Sequence, residues 1–117
     1  MAFSRRETPF SALSIYKAKL DGSGITQFTK PREKLNNHRY PVFSNSGRQI
    51  VFSSDNGEII VLAAGGGDER VLIRGGAYPS WSPDDQYLVF HRAAEKSGRA
   101  RLFIIKADGS SLRQLTF

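Results

Sequence analysis

The sequence contains no cysteine, which excludes disulfide staples, thiolate nucleophiles and cysteine-ligated zinc together. Histidine occurs only at positions 38 and 91, and that separation fits no paired metal-ligand spacing. Long apolar runs are also missing. The longest, Ile59–Ala64, is six residues, against the ~18 or more that a membrane-spanning helix requires. The opening Met1-Ala2-Phe3-Ser4-Arg5-Arg6 turns polar before any apolar stretch of secretory length, so no signal peptide is expected in this chain. Nor does any stretch hold a helical apolar period over two turns.

What is present is a globular balance. The 117 residues are 39% hydrophobic and 24% charged, which suits one folded domain and excludes wholesale disorder. Lysine and arginine outnumber aspartate and glutamate by 17 to 11, so the net charge of +6 admits an anionic partner without requiring one.

The chain also repeats itself. Tyr40-Pro41-Val42-Phe43-Ser44 recurs 38 residues later as Tyr78-Pro79-Ser80-Trp81-Ser82, and the same shift carries Ile50-Val51-Phe52 onto Leu88-Val89-Phe90. A second cassette, Ile15-Tyr16 through Asp21-Gly22-Ser23 to Gln27-Phe28-Thr29, recurs 87 residues later as Leu102-Phe103 through Asp108-Gly109-Ser110 to Gln114-Leu115-Thr116. Without a gap, eight of 27 positions are identical between residues 3–29 and 90–116. A degenerate middle copy runs from Ile59 through Gly65-Gly66-Gly67 to Ile73, giving a period of about 43–44 residues.

Each period holds four short segments rich in β-branched and aromatic residues, separated by turn residues. Asp21-Gly22, Asp108-Gly109 and Gly65-Gly66-Gly67 offer the left-handed residues that tight hairpins need. Ser44-Asn45-Ser46-Gly47 and Ser82-Pro83-Asp84-Asp85 fill the other hairpin, with Asp85 standing where Gly47 stands. Four antiparallel strands per period predict an all-β chain of β-propeller blades. Counted from the channel outward, the chain supplies strands two to four of a first blade (1–29) and two complete blades (40–73 and 78–117). That is eleven strands, or about two and three-quarter blades of one partial propeller domain spanning 1–117.

Two halves of the period carry a resemblance. Pro79-Ser80-Trp81-Ser82-Pro83-Asp84-Asp85 with Tyr87–Phe90 resembles the "P-x-W-S-P-D-G … I-x-F" half of the TolB-type, WD-like propeller repeat. Leu102-Phe103 through Asp108-Gly109 to Leu115-Thr116 resembles its "I-Y-x-x-x-x-D-G-…-L-T" half. The departures fall in turns: Asp85 for Gly, Asn45-Ser46 for Pro-Asp, and Gly65-Gly66 without its Asp. The resemblance implies a fragment of a ring of about six to eight blades. Ring closure then falls to the remaining blades of a longer chain or to self-association. It also implies a protein-interaction scaffold like the propeller of TolB in the Tol–Pal system, a family often periplasmic. The alternative is a propeller segment that shapes access to a catalytic site carried elsewhere in a larger hydrolase or lyase, since related repeats occur in some serine peptidases and pectin-degrading lyases. Fold kinship alone does not choose between them.

Catalysis by this chain is not expected. It has no Gly-x-Ser-x-Gly elbow and no nucleophile with a base and an orienting group. No cofactor or metal is expected either. His91 falls on a strand in register with Ser4 and Ser53, while His38 is expected in a polar loop, and a structural or exposed role suits both. Asp21, Asp84, Asp85 and Asp108 lack the alternating acidic ligands of a calcium loop and suit hairpin turns. Trp81 and Phe43, equivalent in the repeat, are expected as wedges between blades rather than as stacking platforms for a ligand.

The charge is expected to be one-sided. Loops joining blades, and those joining strands two and three, emerge on one face of a propeller. That face receives eleven basic and five acidic residues, while the remainder of the chain sums to zero. The longest loops, at 5–14, 30–39 and 92–101, belong to it, and long loops on a rigid scaffold concentrate binding residues. The expected partner is therefore another protein with an acidic surface, met by Arg5, Arg6, Arg32, Lys34, Arg39, Arg99 and Arg101. Nucleic acid is disfavoured, because only Phe10 and Tyr40 interleave aromatics with the basic loops.

Overall fold

The computed structural model describes residues 1–6, 13–29, 37–67, 69–93 and 98–117. They form eleven strands and no helix: β1 (Ala2–Arg6), β2 (Leu13–Lys17), β3 (Thr26–Gln27), β4 (His38–Phe43), β5 (Gln49–Ser54), β6 (Glu58–Ala63), β7 (Arg70–Arg74), β8 (Gly76–Trp81), β9 (Tyr87–Ala93), β10 (Ala100–Lys106) and β11 (Arg113–Gln114). Within each sheet consecutive strands pair antiparallel, giving sheets β1-β2-β3, β4-β5-β6-β7 and β8-β9-β10-β11. These are the eleven strands that the repeat predicts.

The sheets pack face to face. Ile15 of the first sheet meets Phe52 and Ile60 of the second, with Ala2 and Phe28 beside them. Val51, Ile59 and Leu72 of the second meet Leu88, Phe90 and Ile105 of the third, flanked by Trp81 and Phe103. The middle sheet is thus covered on both faces, and Ile50, Val51 and Phe52 are all fully buried. In β9 only Leu88 and Phe90 are buried, while Val89 between them is partly exposed. The apolar two-sidedness of these strands is a blade property, because each side of the pleat faces a different neighbour.

The 87-residue repeat is also a structural repeat. Phe3 stacks on Tyr16 at 6.0 Å and 20°, and Phe90 stacks on Phe103 at 6.0 Å and 21°. Arg5 lies over the Tyr16 ring and Arg92 over the Phe103 ring, at 5.4 and 5.6 Å. The hairpin chemistry repeats too. Asp21 and Asp108 each accept the backbone N–H and the hydroxyl of the serine two residues on, at 2.9 and 2.6 Å. These are Asx turns, which engage the Asp carboxylate locally.

Trp81 acts as the wedge expected of it, its Nε1–H donating to the Val42 carbonyl of the neighbouring sheet at 3.2 Å. The innermost strands β4 and β8 both break register, between Arg39 and Val42 and between Ala77 and Ser80. Each break holds a Tyr-Pro pair, and Tyr40 and Tyr78 both sit at φ 56°. Proline has no N–H for the ladder, and a bulge takes it out of the pairing. A left-handed conformation is costly for a residue as large as tyrosine. Its recurrence at equivalent positions makes it part of how this blade is built.

Candidate functional site

One end of the three sheets carries the β5–β6 connection, the ends of β1 and β9, and the starts of β2, β4, β8 and β10. A hydrogen-bond chain ties the first two sheets together there. The Leu13 amide donates to Asn37 Oδ1 at 2.7 Å, Asn37 Nδ2 donates to Asp55 Oδ2 at 2.5 Å, and Arg39 Nε donates to Asp55 Oδ1 at 2.9 Å. Burial pushes the Asp55 carboxyl up, but the donors from Asn37 and Arg39 outweigh it and hold the group below the usual range. Asp55 is therefore ionised at neutral pH, and it orients Arg39.

The described residues at this end carry seven arginines, at 5, 6, 39, 74, 92, 99 and 101, against the carboxylates Asp55 and Glu58. Both carboxylates are paired, Asp55 with Arg39 at 2.9 Å and Glu58 with Arg74 at 3.3 Å. The opposite end is close to balanced, with Lys17, Lys19, Arg48, Arg70, Lys106 and Arg113 against Asp21, Glu69, Asp84, Asp85 and Asp108. Among the residues expected to meet a partner, Arg5, Arg6, Arg39, Arg99 and Arg101 stand on this basic end, and Arg32 and Lys34 lie outside the described residues.

The setting of these arginines differs from the expectation of long loops at 5–14, 30–39 and 92–101. Arg5 and Arg6 belong to β1, paired with Ser14 and Leu13, and Arg39 belongs to β4. Arg101 belongs to β10, directly opposite Arg92. Ladder pairing continues past the point where the apolar pattern stops, because backbone hydrogen bonds need no particular side chain. Like charges directly opposite are unfavourable. Arg92 leans over Phe103, and Arg101 donates to the Ala100 carbonyl at 3.0 Å.

Between the second and third sheets this end opens into a cleft of about 410 Å³, lined by Arg39, Tyr40, Ser53, Ser54, Asp55, Gly57, Gly76, Ala77 and Tyr78. The two tyrosine rings lie 4.6 Å apart, and Tyr78 meets His91 edge-on at 5.5 Å. Both tyrosines are about half exposed, at 46% and 54%. The phenol of Tyr40 is raised above its ordinary value, chiefly by its hydrogen bond with Tyr78. Ser53 is buried, and its hydroxyl has no hydrogen-bond partner among the described residues. Tyr40 and Tyr78 are visible in the sequence as repeated positions, yet only their left-handed backbone and mutual packing mark them as a site. Ser53 reads in the sequence as an ordinary strand serine.

His38 is corrected from a loop residue to the first residue of β4, 2% exposed. Its Nδ1 and Thr29 Oγ1 are hydrogen-bonded at 2.6 Å, and its ring lies 4.7 Å from that of Phe52. Burial lowers its pKa to about 4, so it is neutral at physiological pH. It bridges the first two sheets and does not face the cleft residues. Among the described residues no group of three His, Cys, Asp or Glu side chains could hold a metal ion.

Solved structures identify the architecture. TolB from Acinetobacter baumannii superposes with a TM-score of 0.80 over 98% of this chain at 20% identity. The fold is a β-propeller. A chain of the nidogen/laminin complex matches with a TM-score of 0.70 over 87% of this chain at 19% identity, and the tricorn protease with 0.69 over 99% at 15%. The chain spans 30%, 39% and 12% of the lengths of those TolB, nidogen/laminin and tricorn chains. No family model and no curated protein matches the sequence. Among the described residues no helix is long and apolar enough to cross a membrane.

Proposed function

We propose that this chain is part of a protein–protein interaction scaffold whose basic end docks an acidic protein surface. The observation that carries the reading is the charge asymmetry: seven described arginines against two paired carboxylates at one end, and near balance at the other. A one-signed face on a rigid scaffold speeds encounter with an oppositely charged partner, and the effect fades with salt over a Debye length of ~8 Å at physiological strength. The likeness to a chain of the nidogen/laminin complex supports a binding role. In this reading Arg5, Arg6, Arg32, Lys34, Arg39, Arg99 and Arg101 steer the partner. Residues 1–117 act as one partial propeller unit, completed by further blades or by a second copy.

The test is the association rate of poly-L-glutamate with the protein and with a variant carrying Arg5→Glu, Arg6→Glu, Arg99→Glu and Arg101→Glu. The expected result is a rate about ten-fold lower at low salt, with a flattened salt dependence. An unchanged rate and salt slope rejects the basic end as the docking surface. The likeness to the tricorn protease favours a second reading, a propeller segment within a larger hydrolase or lyase. There the same cleft would border the route to a catalytic site on another domain.

A further inference from the structure

The cleft between the second and third sheets contains a buried polar group with nothing to bind. Ser53 is 4% exposed, and its Oγ is the one buried side-chain polar atom without a partner among the described residues. A hydroxyl left this way costs stability, and native structures reserve such groups for a reason.

The groups around Ser53 are mostly donors. The ion pair with Asp55 runs through Nε of Arg39, so the guanidinium fork can present its Nη donors to a second carboxylate. The phenols of Tyr40 and Tyr78 share one hydrogen bond, which uses one phenolic proton and leaves the other free to donate. Both oxygens of Asp55 are engaged, one by Arg39 and one by Asn37, so its charge is locally answered. Gly57, Gly76 and Ala77 keep the walls free of large side chains. Tyr40 and Tyr78 are held by strained backbone at the mouth, each at φ 56°.

We propose that this cleft is a carboxylate-binding pocket, in which an Asp or Glu side chain of the docking protein is received by Ser53, Arg39 and the Tyr40–Tyr78 pair. The proposal rests on the reading of the basic end as a docking face and gives that face its anchor. Arginines at the rim accelerate encounter, whereas the pocket fixes register and slows departure, as central desolvated contacts do.

The probe is a blocked peptide with one glutamate among glycines, acetyl-Gly-Gly-Glu-Gly-Gly-amide, set against its glutamine counterpart and against pentaglycine with a free C-terminal carboxylate. Amide NMR shifts of the full chain report where each binds. The expected result is that the glutamate peptide moves the Ser53, Asp55 and Tyr78 amides and the glutamine peptide does not. Ser53→Ala should weaken that binding about ten-fold, the loss of one hydrogen bond to a charged group. Tyr78→Phe should weaken it while keeping the ring in place. Stronger shifts with free-carboxylate pentaglycine than with the glutamate peptide would overturn the side-chain assignment in favour of a chain terminus. Equal shifts from the glutamate and glutamine peptides, or none from either, would overturn the pocket. Shifts confined to Arg5, Arg99 and Arg101 and indifferent to Ser53→Ala would overturn the pocket while leaving the charged docking face intact.

Discussion

The carboxylate of Asp85 accepts the backbone amide of Asn45 at 2.7 Å across the boundary between the second and third sheets. Its other oxygen accepts the amide of Ser46 at 2.8 Å, while Asn45 Nδ2 returns a hydrogen bond to the Ser82 carbonyl at 2.9 Å. Asp85 itself lies at φ 60°, in the position where the repeat favours glycine. What reads in the sequence as a poor turn residue is an inter-blade clasp. Its backbone cost is set against hydrogen bonds that glycine could not make.

Two substitutions at this position separate those terms. Asp85→Gly relieves the left-handed backbone but removes both acceptors. Asp85→Ala removes the acceptors and keeps the strain. Both should lower the melting temperature, Asp85→Ala by more, as thermal unfolding followed by circular dichroism would measure. A rise in melting temperature for Asp85→Gly would show that the turn matters more than the clasp.

His38 should make the protein acid-sensitive in a window that the carboxylates leave alone. Its pKa falls from 6.5 in the unfolded chain to about 4 in the fold, so between those values the unfolded state binds more protons. The contribution of the buried neutral ring is fully present above pH 6.5. It declines as pH falls through the window, by up to about 3 kcal/mol near pH 4. Asp21, Asp55, Asp84, Asp85 and Asp108 all lie below their ordinary value of 3.8, and their losses come at lower pH. Urea unfolding from pH 7.5 to 4 should show this slope, and His38→Gln should remove most of it. An unchanged slope in His38→Gln would assign the effect elsewhere.

Gly76 is required by packing rather than by backbone conformation. A Cβ there would lie 2.8 Å from Phe90 Cδ2 and 2.9 Å from Ile59 Cδ1, where β8 crosses the interface between the second and third sheets. Gly76→Ala should destabilise the chain by about 1–3 kcal/mol, the usual cost of overpacking a filled core. Gly47→Ala, which has open space around its Cβ but sits at φ 73°, should cost mainly through its backbone. Equal denaturant midpoints for Gly76→Ala and the unaltered protein would contradict the close approach.

The sequence by itself determined the blade. Repeats 38 and 87 residues apart, with β-branched runs between Asp-Gly and Ser-x-x-Gly turns, specify four short strands per period and the ends at which their loops emerge. That fixed the propeller architecture, the wedge role of Trp81 and the side on which the charge gathers, because all three follow from local pattern and chain order. Only the tertiary structure decided what happens between blades. Asp85 reaches Asn45 across 40 residues, His38 meets Thr29 beyond the end of β3 and Phe52 of β5, and Ser53 lines one cleft with Tyr40 and Tyr78. Such contacts depend on the rotation and spacing of one sheet against the next. Strand periodicity says which side of the pleat a residue takes, but not what stands opposite it.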